Sequence, residues 1–261
     1  MSSAPVRLPA SFKEKIWGST DLAPWYPSPS QKIGEVWFEA DLPLLVKFVF
    51  TTGRLSVQVH PDDAFAAAHE HSLGKTEMWY VMSAEPGAQL AVGFREPITA
   101  GRLRESAVTG EVEHLLHWVE VSQGDCFFIP AGTVHAIGPG LALCEIQQHS
   151  DVTYRLYDYG RPRELHLEKA LQVARLEASD AKPVILPIDC QYFHTELAKF
   201  DAPFDYPPGA DRFHLVVFLS GMGTIGNEPY RAGETWLVPQ GNSSFAINPD
   251  EPTKFLRTWV P

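Results

Sequence analysis

Apolar and polar residues alternate along this chain in short runs that turn residues interrupt, a pattern of strands rather than long helices. From residue 36 onward the runs LLVKFVFTT, LSVQVH, EMWYVMS, AQLAVGF, HWVEV, CFFIP and LALCEIQQ follow one another, separated by Gly, Pro and Asp. After residue 190 come FHLVVFLSG, YRAGETWLVP, SFAINP and KFLRTWV. Two stretches break this rhythm. DDAFAAAHEH at 62–71 reads as a helix, with Asp62 and Asp63 placing negative charge at the positive end of its dipole. RELHLEKALQVARLE at 163–177 puts Leu167, Ala170, Leu171 and Ala174 on one face and predicts a second helix. ASDAKPVILP behind it reads as a connector. Within the strand pattern V-Q-V-H-P-D-D at 57–63 is unusual. Gln58 and His60 fall on one strand face, where a solvated strand would carry Ser, Thr or Lys.

Composition narrows the picture. A chain of 261 residues, 44% hydrophobic and 11% aromatic, has room for one large all-β domain or two smaller ones. Its 22 prolines and 19 glycines suit many short strands joined by tight turns. A net charge of −11 argues against nucleic-acid and anionic-membrane surfaces, though not against a phosphorylated small molecule in a local pocket. No stretch reaches the roughly 18 apolar residues that span a bilayer. MSSAPVRLPASFKEKIWG lacks the apolar core of a signal peptide, so a soluble cytoplasmic protein is expected. Cys126, Cys144 and Cys190 are odd in number and far apart, and the first two sit in apolar runs, which predicts buried free thiols.

An internal repeat relates the two halves. G-D-C-F-F-I-P-A-G-T-V-H runs from Gly124 to His135, and G-E-T-W-L-V-P-Q-G-N-S-S from Gly233 to Ser244. Both fit Gly-x5-Pro-x-Gly-x2-X, in register at Gly124/Gly233, Pro130/Pro239 and Gly132/Gly241, and they differ in kind at the last position. The first copy resembles the second conserved motif of the cupin superfamily, whose His projects into a barrel. Two copies imply two cupin-type (jelly-roll) barrels. On this reading 1–35 is an N-terminal segment packing on the barrels. Residues 36–180 form a metal-binding barrel with a helical insert and a trailing helix. Residues 181–261 form a degenerate barrel in which Ser244 replaces the histidine.

His135, Gln58 and His60, with Glu77 from G-K-T-E-M-W-Y-V, assemble two imidazoles, a carboxylate and an amide oxygen. That set suits one Zn²⁺ per chain, and Fe²⁺, Mn²⁺ and Co²⁺ also fit it. The competing set is His69-x-His71 with Glu77. It lies on the predicted helix, where residues two apart point roughly 200° apart and cannot share an ion. His69 and His71 are therefore expected at the solvated helix end. His114, His117, His149, His166, His194 and His214 carry no ligand-like spacing.

Longer strings point to one family. Q-V-H-P-D-D (58–63), G-K-T-E-M-W-Y (74–80), P-A-G-T-V-H-A-I-G (130–138) and E-I-Q-Q-H-S-D-V-T-Y-R-L-Y-D (145–158) resemble the type I phosphomannose isomerases of the short bacterial form. K-I-W-G at 15–18 and L-V-K-F at 45–48 fit as well, so the resemblance covers most of residues 13–170 by motif. It implies that Gln58, His60, Glu77 and His135 are the zinc ligands and that Arg155 is the family's essential arginine. It also implies a hexose 6-phosphate substrate, mannose 6-phosphate converting to fructose 6-phosphate through a cis-enediol(ate). Lys75, on the face of Glu77, is then an acid/base group or phosphate contact, and Asp151 and Glu145 are candidates for ring opening or proton transfer. Arg155 has a bland alternative in a salt bridge with Asp151 or Asp158. Lys47, in an apolar run, either faces the pocket or snorkels to solvent. No Gly-rich phosphate loop is present, since G-M-G-T-I-G at 221–226 reads as a strand turn. Two other readings stand beside the isomerase: a non-catalytic cupin that senses a sugar or sugar phosphate, and an iron-dependent oxygenase, which a glutamine ligand fits poorly. A monomer or weak homo-oligomer is expected.

Overall fold

The computed structural model describes residues 4–207 and 211–261. Its strands pair into four sheets. In the first, the spatial order is Ser11–Ser19, Ile33–Phe38, Leu44–Thr51, Leu141–Gln148, Glu77–Ala84 and Cys126–Ile129. The second runs Tyr154–Tyr157, Val57–Val59, His135–Ile137, Gln89–Phe94 and Leu116–Glu120. Val49, Trp79, Val81, Phe127 and Leu143 of the first sheet share one buried cluster with Leu90, Val92 and Ile137 of the second, so the two face each other. Strands from the rest of the chain repeat the plan. Val6–Arg7, Thr235–Val238, His214–Ser220, Thr253–Trp259, His194–Phe200 and Ile188–Asp189 form the third sheet. Phe204–Tyr206, Phe245–Pro249, Met222–Ile225 and Glu228–Arg231 form the fourth. Val216, Phe218, Trp236, Val238 and Phe255 meet Tyr206, Ile225, Tyr230 and Ile247 between them. The molecule is all-β, with two cupin-type sandwiches and a few short helices.

The repeat marks equivalent turns in both. Gly124, Gly132, Gly233 and Gly241 all adopt positive φ, at 97°, 85°, 89° and 73°. A residue with a Cβ is strained there, which explains why both copies keep glycine. The strand between the glycines is Cys126–Ile129 in one copy and Thr235–Val238 in the other. The two sandwiches join back to back: Phe48, Met78, Cys144 and Ile146 on the outside of the first sheet pack with Val217, Leu219 and Leu256 of the third. Burying each such side chain contributes about 1.5–3 kcal/mol. Cys126 and Cys144 are buried free thiols, as expected.

Among the described residues four helices interrupt the strands. α1 (Asp63–Glu70) matches its prediction: the Asp62 carboxylate accepts from the Phe65 amide, and His71 closes it in the left-handed conformation. α2 (Ala100–Thr109) and α3 (Val112–Leu115) were not predicted. The buried strip of α2 is only Leu103, Ser106 and Ala107, too thin an apolar signal, although Thr99 caps its start and Gly110 ends it at φ 85°. α4 is confined to Leu167–Val173, shorter than the predicted 163–177. The preceding residues wrap Asp158 instead, through Arg161 and Arg163, and Ala174 is already extended. Leu103, Ala107, Val112 and Ala170 cover Val57, Val59, Ala91 and Ala136 on the outer face of the second sheet. Among the described residues no helix is long and apolar enough to cross a membrane.

Candidate metal centre

Strand register brings distant residues into rows inside the first sandwich. Across the second sheet, Arg155 lies opposite Gln58, Gln58 opposite His135, and His135 opposite Val92. Across the first, Lys47, Glu145, Trp79 and Phe127 form one row, and Gln147, Glu77 and Ile129 the next. Directly opposed residues on neighbouring strands share a face, so the two sets of polar side chains look at each other across the interior.

His60, Glu77 and His135 meet there, each 1% exposed or less. One ligand atom from each falls within 4.8 Å of the others. His60 Nε2 is 3.7 Å from Glu77 Oε2, and His135 Nε2 is 3.6 Å from Glu77 Oε1. Gln58 lies beside them, its Nε2 3.3 Å from His135 Nε2 and its Oε1 accepting from the Ser56 hydroxyl at 3.1 Å. The imidazoles are prepared for an ion. His60 Nδ1 donates to the Val152 carbonyl at 2.9 Å and His135 Nδ1 to the Thr133 carbonyl at 2.9 Å. Those bonds fix the tautomer and turn both Nε2 lone pairs inward. Burial holds His60 well below the usual imidazole range and lowers His135 to about 4, so both rings are neutral. His60 Nε2 and Glu77 Oε1 have no hydrogen-bond partner. Buried polar atoms left unpaired are costly, and a divalent cation between them removes that cost. The donor set therefore fits a metal.

Beside the cluster runs a chain of buried charges. Lys75 Nζ lies 3.0 Å from Glu77 and 3.5 Å from Glu145, and Lys47 Nζ is 3.5 Å from Glu145 on its other side. The Trp79 indole donates to Glu145 at 3.1 Å. Burial disfavours both ammonium groups, but Glu145 and Glu77 outweigh it at Lys75, whose pKa is raised. At Lys47 burial and the charge of Lys75 win, and its pKa falls. Burial alone would raise Glu145, yet the two lysines hold it below the usual carboxylate range. Glu77 shifts upward, through burial and then the charge of Glu145.

The predicted residues separate into two groups. Gln58, His60, Glu77, His135, Lys75 and Glu145 converge. Asp151 is exposed, close enough to Lys47 to act on its charge but outside the buried chain. Arg155 is half-buried and does not pair with Asp158, which Arg161 and Arg163 bind at 2.5 and 2.6 Å. Its Nη1 donates to the Glu164 carbonyl at 2.8 Å, and its buried Nε has no partner. Lys47 does not snorkel: it is 2% exposed and sits over the Trp37 ring at 4.2 Å. A strand buried on both faces offers a lysine no route to water, and the near-continuous apolar run around Lys47 in LLVKFVFT was the signal for it. His69 and His71 are exposed at the end of α1, as expected.

No protein-family model matches the chain. Whole-sequence relatives do. The mannose-6-phosphate isomerase ManA of Bacillus subtilis is 33% identical over 307 aligned positions, covering 95% of this chain and 96% of the relative. The mannose-6-phosphate isomerase of Streptococcus mutans is 32% identical and covers 94% and 96%. In three dimensions, the crystal structure of the mannose 6-phosphate isomerase from Bacillus subtilis superposes with a TM-score of 0.88 at 26% identity, over 98% of this chain and 99% of that one. A phosphomannose isomerase variant from Salmonella typhimurium shares the fold at 15% identity, with a TM-score of 0.77 over 98% and 99% of the two chains. The chain belongs to the mannose-6-phosphate isomerase family.

Proposed function

We propose that this protein is a metal-dependent aldose–ketose isomerase that interconverts mannose 6-phosphate and fructose 6-phosphate through a cis-enediol(ate). The observation that carries the reading is the convergence of His60 Nε2, Glu77 and His135 Nε2 within 4.8 Å, with both Nδ1 atoms already committed to backbone carbonyls. Gln58, His60, Glu77 and His135 would hold the ion, and zinc suits their mixture of nitrogen and oxygen donors. Bound there, it supplies a Lewis acid for the sugar's carbonyl and hydroxyl oxygens.

The protein's own groups do the rest. Lys75, kept protonated by two carboxylates, donates to the oxygen on which negative charge develops. Arg155 offers its unpaired Nε and a fixed fork to the same charge or to the phosphate. Two carboxylates remain for ring opening and for moving the proton between C2 and C1: Glu145, ionised and buried, and Asp151 at the rim. We further propose that residues 36–180 carry this chemistry, while 1–35 and 181–261 support it without a second metal.

A coupled assay for fructose 6-phosphate, run with and without chelator, tests the reading. Chelator-sensitive turnover restored by zinc is the expected result. Metal and sugar-phosphate binding without turnover would mean a sensor, and oxygen consumption would mean an oxygenase. Exchange of the C2 proton with solvent, measured in Glu145→Gln and Asp151→Asn, then assigns the base.

A further inference from the structure

The three residues Gly74–Thr76 form no part of a strand or helix, yet they carry Lys75 at 4% exposure. Each of their backbone amides is held. Gly74 N donates to Asp63 Oδ1 at 2.8 Å, Lys75 N to the Pro61 carbonyl at 3.0 Å, and Thr76 N to Gln148 Oε1 at 2.9 Å. Gln148 Nε2 closes the circuit by donating to the same Asp63 Oδ1 at 2.9 Å. The strap lies directly on the start of α1: a Cβ at Gly74 would come within 2.5 Å of the Asp62 and Asp63 backbone. A side-chain pair thus grips both ends of the segment whose middle residue reaches Glu77 and Glu145.

We infer that Asp63 and Gln148 are positioning residues that fix the Lys75 ammonium in the reaction centre. This rests on the reading above, in which Lys75 touches the reacting oxygens. Asp63 also acts on a residue of the other sandwich. Tyr192, just before the His194–Phe200 strand, lies against it, and its phenol is raised first by burial and also by the Asp63 charge. A displaced ammonium loses its alignment with the charge it must meet, and a misplacement of about 1 Å costs turnover on the order of 10²-fold.

The test is a double-mutant cycle on the zinc-loaded enzyme, with thermal unfolding recorded alongside. Asp63→Ala and Gln148→Ala should each lower kcat by roughly 10- to 10²-fold with KM within about twofold. Asp63→Asn, which keeps the acceptor oxygen, should restore most of it. In a Lys75→Ala background, adding Asp63→Ala should change kcat less than about twofold, because partners acting through one group are non-additive. Asp62→Ala, which removes the α1 cap without touching the strap's side-chain grip, should lower the unfolding temperature but spare kcat. Full kcat in Asp63→Ala, or losses that multiply in the cycle, would overturn the inference. Full turnover in Lys75→Ala would instead overturn the assigned role of Lys75, and with it the inference.

Discussion

The two sandwiches share a turn scaffold but fill it with opposite materials. Where the first Gly-x5-Pro-x-Gly turn delivers His135, buried at 1%, the second delivers Ser244, which is exposed. Inside the first, Gln58, His60, Glu77, Glu145, Lys47 and Lys75 occupy rows that a core would give to apolar residues. Inside the second, the equivalent volume holds rings: Phe218 stacks on Tyr230 at 3.9 Å and Tyr206 on Phe245 at 4.8 Å. Its polar residues cancel locally, with Arg257 bound to Glu196 at 2.6 Å and Tyr206 hydrogen-bonded to His214 Nδ1 at 2.8 Å. One interior keeps unpaired lone pairs at His60 and Glu77, and the other is filled by stacked rings. The backbone plan does not decide between them; a handful of inward-facing side chains does.

The contrast breaks most sharply at His135. His135→Ala should remove one metal ligand and lower turnover on the order of 10³-fold. Metal content by elemental analysis should fall with it, and an unchanged content would remove His135 from the ligand set. Next in size is Phe218→Ala, which empties a fully buried ring site in the other interior and should cost about 3–5 kcal/mol of stability. Below its lowered unfolding temperature the variant should keep the parent's kcat. A loss of kcat without loss of fold would mean that the second interior takes part in the chemistry.

A smaller effect is expected with pH. Burial, and then the charges of Arg257 and Arg212, lower His214 to about 4, against 6.5 for an unperturbed imidazole. Between those values the unfolded chain binds the extra proton. The stability linked to His214 is therefore complete above pH 6.5 and drains away as pH falls to about 4. Chemical denaturation of His214→Gln across that window should show a shallower slope than the parent, and an equal slope would refute the assignment. Smallest of all, Ser244→His should leave the metal stoichiometry at one per chain. Among the described residues the one group of side chains that could hold an ion is His60, Glu77 and His135, and a second equivalent by elemental analysis would contradict this.

Much of this was legible in the sequence because the ligand strings sit beside strong local signals. Gln58 and His60 alternate with valines, Asp62 caps a helix, and His135 follows a Pro-x-Gly turn. The register that sets Glu145 beside Trp79 and Lys47 was not legible, because pairing between strands leaves no mark within either one. α2 escaped because a buried Ser106 interrupts its apolar strip. The length of α4 escaped because short-range pairs of Arg161 and Arg163 with Asp158 hold the preceding residues in a turn, a competition that apolar periodicity over 163–177 does not register.

The pairing of Val6–Arg7 with Trp236–Leu237 carries a consequence for folding, because it joins segments far apart in sequence. Leu8 N donates to the Thr235 carbonyl, and Arg7 reaches Glu234, so the seam closes only once these two distant segments have met. Until then the outer edge of Thr235–Val238 has no cover, and contacts this distant in sequence form slowly. Losing the first eight residues would leave that edge bare for good and expose it to pairing with other copies.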